Sequence, residues 1–182
     1  VLCYNRGRGY VMDLRDIKEF LKDALKYIIA IAVILIVAIY VVSFQEVIGP
    51  SMNNTLKSGD ITVVNKLVFR LRNIKRNEIV SLKKDDKIMV KRIIGLPGEH
   101  IEYKDNILYV DGKKISDSRS SSTKDFKLES IGYETIPKDM YLVLGDNRTN
   151  SSDSRTFGLV KKSDIIGKVN IRIYPFNKIK IF

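Results

Sequence analysis

Residues 27–44, YIIAIAVILIVAIYVVSF, form a run of 18 residues without a charge that decides the architecture of the chain. As a helix, this run is long enough to cross most of a hydrocarbon core about 30 Å thick. A buried helix of a soluble protein would need a large core around it, which a chain of 182 residues can hardly supply. A cleaved signal peptide would have a shorter apolar segment and a clear small-x-small site at its end. The sequence therefore predicts a retained transmembrane helix over residues 27–44.

The segment before this run, residues 1–26, is predicted to be a cytoplasmic tail that contains an amphipathic helix. Its first residues are rich in Gly and Arg and are expected to be disordered. Apolar residues then recur at intervals of three and four, with charged residues between them. This helix is expected either to lie on anionic lipid or to extend the transmembrane helix. The recurring apolar residues are Leu14, Ile17, Leu21, Leu25 and Ile28.

The charges on either side of the run predict its orientation. Six Lys and Arg residues precede it, whereas no basic residue follows it until Lys57. Because short cytoplasmic flanks carry the excess of Lys and Arg, the N-terminus is expected in the cytoplasm and residues 45–182 outside the plasma membrane. The whole chain carries a net charge of +11. Beside a transmembrane helix, this charge favours anionic lipid headgroups as a partner and not nucleic acid.

The part that follows the run is predicted to be mostly β. It contains short segments rich in Ile, Val and Tyr, separated by turn-forming residues, and no helical pattern of comparable strength. Asp111-Gly112 is expected at the tip of a hairpin over residues 107–115. Residues 116–127 are polar, include three consecutive serines and predict a mobile surface loop. The predicted strands are 61–67, 78–82, 88–94, 107–110, 141–144 and 168–174.

The counts of cysteine and histidine narrow the possible chemistry. Cys3 is the single cysteine, so neither a disulfide framework nor a thiolate metal site can form within the chain. His100 is the single histidine, which excludes a His-rich metal site and leaves one candidate for a Ser-His-Asp triad. We expect no metal and no cofactor, with His100 as a bystander.

Ser51 follows the apolar run in the sequence Gly49-Pro50-Ser51-Met52. Gly49 and Pro50 predict a turn that removes side-chain bulk from one side of the hydroxyl. A serine hydroxyl is a poor nucleophile without a base to remove its proton. This stretch alone therefore favours a plain turn that leaves the membrane.

A candidate base lies in the apolar strand around Lys91. Adjacent strand residues point to opposite faces, so either Lys91 or Arg92 is expected to face inward. Burial would lower the pKa of Lys91 because it disfavours the charged amine. A drop of two to three units, roughly 3 to 4 kcal/mol, would make the neutral base abundant near pH 8. The alternative is a strand that carries two solvated cations.

The stretch from Gly145 to Gly158, GDNRTNSSDSRTFG, is too rich in short polar and charged side chains for a simple turn. It predicts a hydrogen-bonded scaffold in which Asp153 pairs with Arg155 and a serine orients a neighbouring amine. A calcium loop is the alternative, but the acid spacing and terminal glutamate of an EF-hand are missing.

Four groups of motifs follow the apolar run in this order: Ser51-Met52 with Thr55-Leu56, Gly59-Asp60, Lys91-Arg92 with Gly95-x-Pro97-Gly98-Glu99, and Gly145-Asp146-Asn147 with Ser151-x-Asp153-Ser154-Arg155. This order resembles that of the type I signal peptidases. The resemblance extends from the apolar run to the last predicted strand. It implies one transmembrane helix followed by an antiparallel β catalytic domain, with a small hairpin or loop insertion around residues 103–140. It also implies a membrane-anchored serine endopeptidase that removes signal peptides from exported preproteins, and we expect it to act as a monomer.

The resemblance also implies roles for individual residues. Ser51 corresponds to the nucleophile, Lys91 to the general base and Ser151 to a residue that orients the Lys91 amine. Small apolar pockets would select an Ala-x-Ala type of cleavage site, and the Ser51 backbone N–H would donate to the oxyanion. The supporting positions are Asp146, Asp153 and Arg155, and the substrate-binding positions are Val47, Gly49, Met52, Met89 and Val90.

Two positions depart from the family pattern. Asn54 stands where a proline is usual, which predicts a less rigid turn after Ser51. Gly49 stands where some members supply a serine hydroxyl to the oxyanion, and losing one such donor can cost roughly 3 to 4 kcal/mol.

Two other classes of protein stay open from the sequence. A self-cleaving repressor can share a Ser/Lys pair and a β fold, although the apolar run and the lack of a helix-turn-helix argue against it. The other class is a non-catalytic anchored β domain that binds polyanionic lipid or wall polymer.

Overall fold

The structure, a computed structural model, describes residues 14–117 and 122–182. The chain divides into two compact units between Ile39 and Tyr40. The segment expected to be disordered, including Cys3, and residues 118–121 of the predicted polar loop lie outside the described residues.

A single helix, α1, Leu14–Val41, contains both the amphipathic pattern and most of the apolar run. It is long and apolar enough to cross a membrane, and none of its residues is buried. The helix ends three residues before the predicted boundary at Phe44, so the predicted end was wrong. Residues from Val42 onward form a strand because they pair with a neighbouring strand. This pairing gives their backbone N–H and C=O groups the hydrogen bonds that a further helical turn would otherwise have provided.

The described part of the second unit contains twelve strands, two short α-helices and three short 3-10 helices, and all strand pairs are antiparallel. The strands are β1 Val42–Glu46, β2 Ile61–Asn65, β3 Ile79–Lys84, β4 Lys87–Gly95, β5 Ile101–Lys104, β6 Ile107–Val110, β7 Lys113–Ile115, β8 Phe126–Lys127, β9 Met140–Leu144, β10 Val160–Lys161, β11 Ile165–Tyr174 and β12 Lys180–Ile181. The α-helices are α2 Val68–Leu71 and α3 Ser154–Phe157.

These strands form two sheets. The larger sheet has the order β1-β2-β11-β3-β4-β9-β10, and β12 pairs with β11. The smaller sheet has the order β7-β6-β5-β8. This architecture confirms the predicted fold class, which is mostly antiparallel β after one N-terminal helix that could span a membrane.

All six predicted strands are present within a few residues of their expected ends, and Val110 pairs with Lys113 across the predicted Asp111-Gly112 hairpin. The sequence did not predict β1, β5, β8, β10 or β12. Three of these contain only two residues, and such strands carry no readable alternation.

Strand β4 lies between β3 and β9 in the larger sheet, and its residues pack against three different hydrophobic clusters. Lys91 is 3% exposed and Arg92 is 1% exposed. The prediction that only one of the two faces inward was therefore wrong. Protein covers both faces of β4, so alternation along the strand buries both side chains.

Candidate active site

Ser51 lies in a tight turn that follows β1. The Asn53 N–H donates to the Pro50 carbonyl at 3.0 Å, and the Leu56 N–H donates to the Met52 carbonyl at 2.8 Å. Met52 and Leu56 are fully buried, whereas Ser51 is only partly buried. The apolar side chains therefore anchor the turn, while Ser51 itself stays partly exposed.

The structure brings Ser51 and Lys91 together. Ser51 Oγ and Lys91 Nζ lie 2.8 Å apart, within hydrogen-bonding distance. Burial lowers the pKa of Lys91, and the negative charge of Asp153 opposes this effect only in part. Burial thus shifts the equilibrium of this amine towards its neutral form, the form that can accept a proton from a hydroxyl.

Asp153 and Arg155 form the predicted pair. Asp153 Oδ2 accepts from Arg155 Nη2 at 2.8 Å and from the Gly145 N–H at 3.1 Å. Asp153 also caps α3 by accepting from the Arg155 N–H. Burial alone would raise the pKa of Asp153. The pKa is nevertheless lowered, because Arg155 contributes a hydrogen bond and a positive charge and because the Gly145 N–H and Ser151 also stabilise the carboxylate. A carboxylate is therefore fixed close enough to act on the Lys91 amine.

The loop after β9 holds the backbone of Ser51. The Asn147 N–H donates to the Ser51 carbonyl at 3.0 Å, and Asn147 Nδ2 donates to the Pro50 carbonyl at 3.2 Å. A Cβ at Gly145 would collide with the Ser51 carbonyl oxygen and with Ser151 Oγ. Gly145 is thus required for close approach, a role that the sequence signalled only by a glycine directly after an apolar strand.

Ser151 does not make the contact that the family resemblance implies. Its Oγ is buried and makes no hydrogen bond of good geometry within the described part of the chain, although it lies close enough to Asp153 to help lower the pKa of that carboxyl. The expected Ser151 to Lys91 hydrogen bond is therefore absent from this arrangement, although the hydroxyl lies beside Gly145 at the same site.

Asp146 pairs with an arginine that the sequence did not single out as a site residue. Asp146 accepts from Arg92 Nε at 2.7 Å and from Arg92 Nη2 at 2.5 Å, and both side chains are 1% exposed. Thr55 Oγ1 donates to the same carboxylate at 2.5 Å. This network joins β4, the loop after β9 and the turn that carries Ser51.

The predicted substrate-binding residues fall into two groups. One hydrophobic cluster contains the buried residues Val47, Met52 and Val90. Gly49 lies between Val47 and Met52 in the sequence, and its N–H donates to Ser58 Oγ at 3.2 Å. Met89 packs instead against a different cluster, which contains Leu82 and Val143. The structure therefore does not bring Met89 together with the other four positions, because Met89 and Val90 are strand neighbours and point to opposite faces.

His100 takes part in a separate interaction. Its Nε2 lies 2.9 Å from Glu129 Oε1, at the start of the smaller sheet. Within residues 14–117 and 122–182, no group of three His, Cys, Asp or Glu side chains could hold a metal ion.

The sequence and the fold are similar to those of known peptidases. The family model for signal peptidase, peptidase S26, matches residues 18–174. Signal peptidase I from Bacillus caldolyticus is 41% identical over 166 residues, which cover 84% of this chain and 90% of that protein. Signal peptidase IB from Staphylococcus aureus strain Mu50 is 35% identical over 181 residues, which cover 90% of this chain and 94% of that protein.

A crystal structure of a signal peptidase I from Enterococcus faecalis V583 is also similar, with 36% sequence identity and a TM-score of 0.50. The match covers 54% of this chain and 98% of that one. Because the family model matches most of the chain and the relatives are similar over nearly their full length, the chain belongs to the signal peptidase family, peptidase S26, whose members are serine proteases that hydrolyse signal peptides.

Proposed function

We propose that the chain cleaves signal peptides by acyl transfer, with Ser51 as nucleophile and Lys91 as general base. The observation that carries this proposal is the distance of 2.8 Å between Ser51 Oγ and a Lys91 amine that is almost completely buried. A buried, neutral amine can accept the hydroxyl proton near neutral pH, which an exposed lysine cannot do.

The reaction follows in two steps. Lys91 takes the Ser51 proton as Ser51 Oγ attacks the scissile carbonyl, and the resulting ammonium gives that proton to the departing amine. Water then attacks the acyl ester while Lys91 again acts as base. The Ser51 N–H is proposed to donate to the oxyanion. Ser151, which has a buried hydroxyl beside this site, is proposed to accept a hydrogen bond from the ammonium form of Lys91.

Asp146, Asp153 and Arg155 are proposed to support this geometry without touching the substrate. Asp153 and Arg155 fix the loop after β9, and Asp146 joins that loop to β4 and Thr55. Because these carboxylates are paired, they hold their positions while the charge of Lys91 changes.

We propose that the enzyme selects a small-x-small cleavage site. Val47, Met52 and Val90 form an apolar wall near the Ser51 turn, and Gly49 adds no side chain to it. Shallow apolar pockets reject large side chains because the buried cluster beneath them is close-packed. A substrate series with Ala, Val and Phe in turn at the residue before the cut would test this selection, with cleavage expected only for Ala.

We propose that the enzyme is a single-pass plasma membrane protein that acts as a monomer. Its N-terminus lies in the cytoplasm, and its catalytic domain lies outside and contacts anionic lipid.

An apolar row across four strands supports the lipid contact. Phe44 pairs with Val63, Val63 with Ile171, and Ile171 with Ile181, and the outer two side chains are 70% and 75% exposed. Lys178 and Lys180 lie close to this row in the sequence and suit anionic headgroups.

The test is cleavage of a synthetic preprotein by the full-length chain in vesicles that contain anionic lipid. Mass spectrometry of the products should show one cut after an Ala-x-Ala site, and Ser51→Ala should show none. Cleavage that persists in Ser51→Ala, or an intact preprotein after incubation with the unaltered chain, would contradict the proposal.

A further inference from the structure

Arg148 is a buried cation that the proposed chemistry does not use. It lies on the loop after β9 and is 4% exposed. Its Nε donates to the Gly145 carbonyl at 2.9 Å, and its Nη1 donates to Tyr103 Oη at 2.8 Å and Thr123 Oγ1 at 2.9 Å. Its Nη2 donates to Asp117 Oδ2 at 2.6 Å. Every nitrogen of the guanidinium is thus engaged.

Three of these partners come from the region of the smaller sheet. Tyr103 lies on β5, Asp117 follows β7, and Thr123 precedes β8. Tyr103 Oη also donates to Asp117 Oδ2 at 2.5 Å, and the Arg148 guanidinium lies 5.2 Å from the centre of the Tyr103 ring. Burial raises the pKa of Tyr103 despite the charge of Arg148, so the phenol remains a hydrogen-bond donor.

The prediction of a surface loop over residues 116–127 was therefore wrong at its described positions near Arg148. Thr123 is 3% exposed and the Asp117 side chain is 6% exposed. These polar residues are buried because a guanidinium from a distant part of the chain requires acceptors there.

The backbone around Arg148 leads directly to the Ser51 site. Its carbonyl accepts from Arg155 Nη2 at 2.8 Å, and the same guanidinium group of Arg155 binds Asp153. Gly145, which accepts from Arg148 Nε, gives its own N–H to Asp153. Between these anchors, the Asn147 N–H holds the Ser51 carbonyl.

We infer that Arg148, held by Asp117 and Tyr103, is a positioning residue for the Ser51 and Lys91 pair. The smaller sheet fixes the guanidinium, the guanidinium fixes the loop after β9, and that loop sets the position of the Ser51 backbone. The effect on catalysis is indirect, because Arg148 acts through the backbone of the loop after β9, whose Asn147 N–H holds the Ser51 carbonyl. This inference rests on the proposed function.

The experiment measures kcat and KM for preprotein cleavage by full-length Arg148→Lys, Asp117→Asn and Tyr103→Phe. Lysine keeps the charge but cannot reach four acceptors, and Tyr103→Phe removes one hydroxyl with little loss of packing. Because a small misplacement of reacting groups can cost about 100-fold in rate, we expect Arg148→Lys to lower kcat by about 10- to 100-fold and KM to change less than about twofold. Tyr103→Phe should show a smaller loss of the same kind.

The controls are Tyr109→Phe on β6 and Arg72→Lys, whose bidentate pair with Glu78 is remote in sequence from the site. Both should retain normal kcat. Rates are divided by the folded fraction, measured by resistance to trypsin. The inference would be overturned if the normalised kcat of Arg148→Lys equalled that of the unaltered chain, or if KM rose while kcat stayed unchanged.

Hydrogen exchange at the Asn147 amide gives a readout that does not depend on activity. Arg148→Lys should accelerate exchange at Asn147 while the amides of β6 exchange as before. If the unaltered chain cleaves no preprotein but exchange at Asn147 still accelerates, the proposed function fails and the positioning of the loop stands. Unchanged exchange at Asn147 in Arg148→Lys would overturn the positioning role.

Discussion

Lys91 Nζ lies 2.8 Å from Ser51 Oγ, although the two residues are separated by 39 others in the chain. Strand β4 carries the amine, and a turn anchored by buried Met52 and Leu56 carries the hydroxyl. Lys91 is buried, whereas Ser51 is partly exposed. This asymmetry favours a neutral base beside a nucleophile that a substrate can reach.

Removing either member of the pair should abolish cleavage. We expect Ser51→Ala and Lys91→Ala each to lower kcat on the order of 10⁴-fold or more, because the two groups act as a unit. His100→Ala should retain normal activity, since His100 pairs with Glu129. Preprotein cleavage by the three full-length variants provides the measurement. An inactive but folded His100→Ala would indicate a triad.

The pH profile of kcat/KM should report the titration of Lys91. Activity requires the neutral amine, so it should rise with pH through a pKa below 10.5, the ordinary value for lysine. The negative charge of Asp153 raises the pKa of Lys91, so Asp153→Asn should move the rising limb to lower pH. Asp111→Asn at the hairpin tip is the control and should leave the limb in place. A limb that moves to higher pH in Asp153→Asn would contradict this prediction.

Replacing the base should stabilise the fold. The pKa of Lys91 is lower in the folded chain than in the unfolded chain, so protonation of this amine favours unfolding. The unaltered protein therefore gains stability as the pH rises from the folded-state pKa of Lys91 towards 10.5. Lys91→Met removes this penalty, which is about 1.4 kcal/mol for each unit by which the pKa is lowered. Thermal unfolding should show the variant more stable at neutral pH, with the difference lost above pH 10.5. A constant difference at every pH would exclude a titrating amine.

Adding one methyl group at Gly145 should impair catalysis more than stability. A Cβ there would collide with the Ser51 carbonyl oxygen, so Gly145→Ala should displace Ser51 and lower kcat by about 100-fold. Gly112→Ala is the matched control, because Gly112 has a φ of +73° and open space around it. It should cost about 1 to 2 kcal/mol in the free energy of unfolding and leave kcat unchanged. Equal kcat values for the two variants would exclude the steric account.

The sequence predicted those contacts of the site that join residues close together in the chain. Asp153 and Arg155 are two residues apart, and their pairing follows from proximity along the chain. The position of Ser51 beside Lys91 was implied by the family resemblance, because neither stretch alone favoured chemistry over a structural role.

The remaining features depend on contacts between distant parts of the chain. Arg92 is buried because separate clusters cover both faces of β4, which no local pattern reveals. Thr123 is buried because Arg148 lies against it. Met89 is a different case, since alternation with Val90 already predicts that only one of them lies on the side of Ser51.

The most direct test of the central claim is the titration of the Lys91 side chain by NMR of the full-length protein with ¹³C-labelled lysine. The Lys91→Met variant assigns the signal by its absence. We predict that the Lys91 Cε signal titrates below pH 10.5. A Lys91 signal that titrates at or above pH 10.5 would contradict the claim that Lys91 is a neutral base beside Ser51.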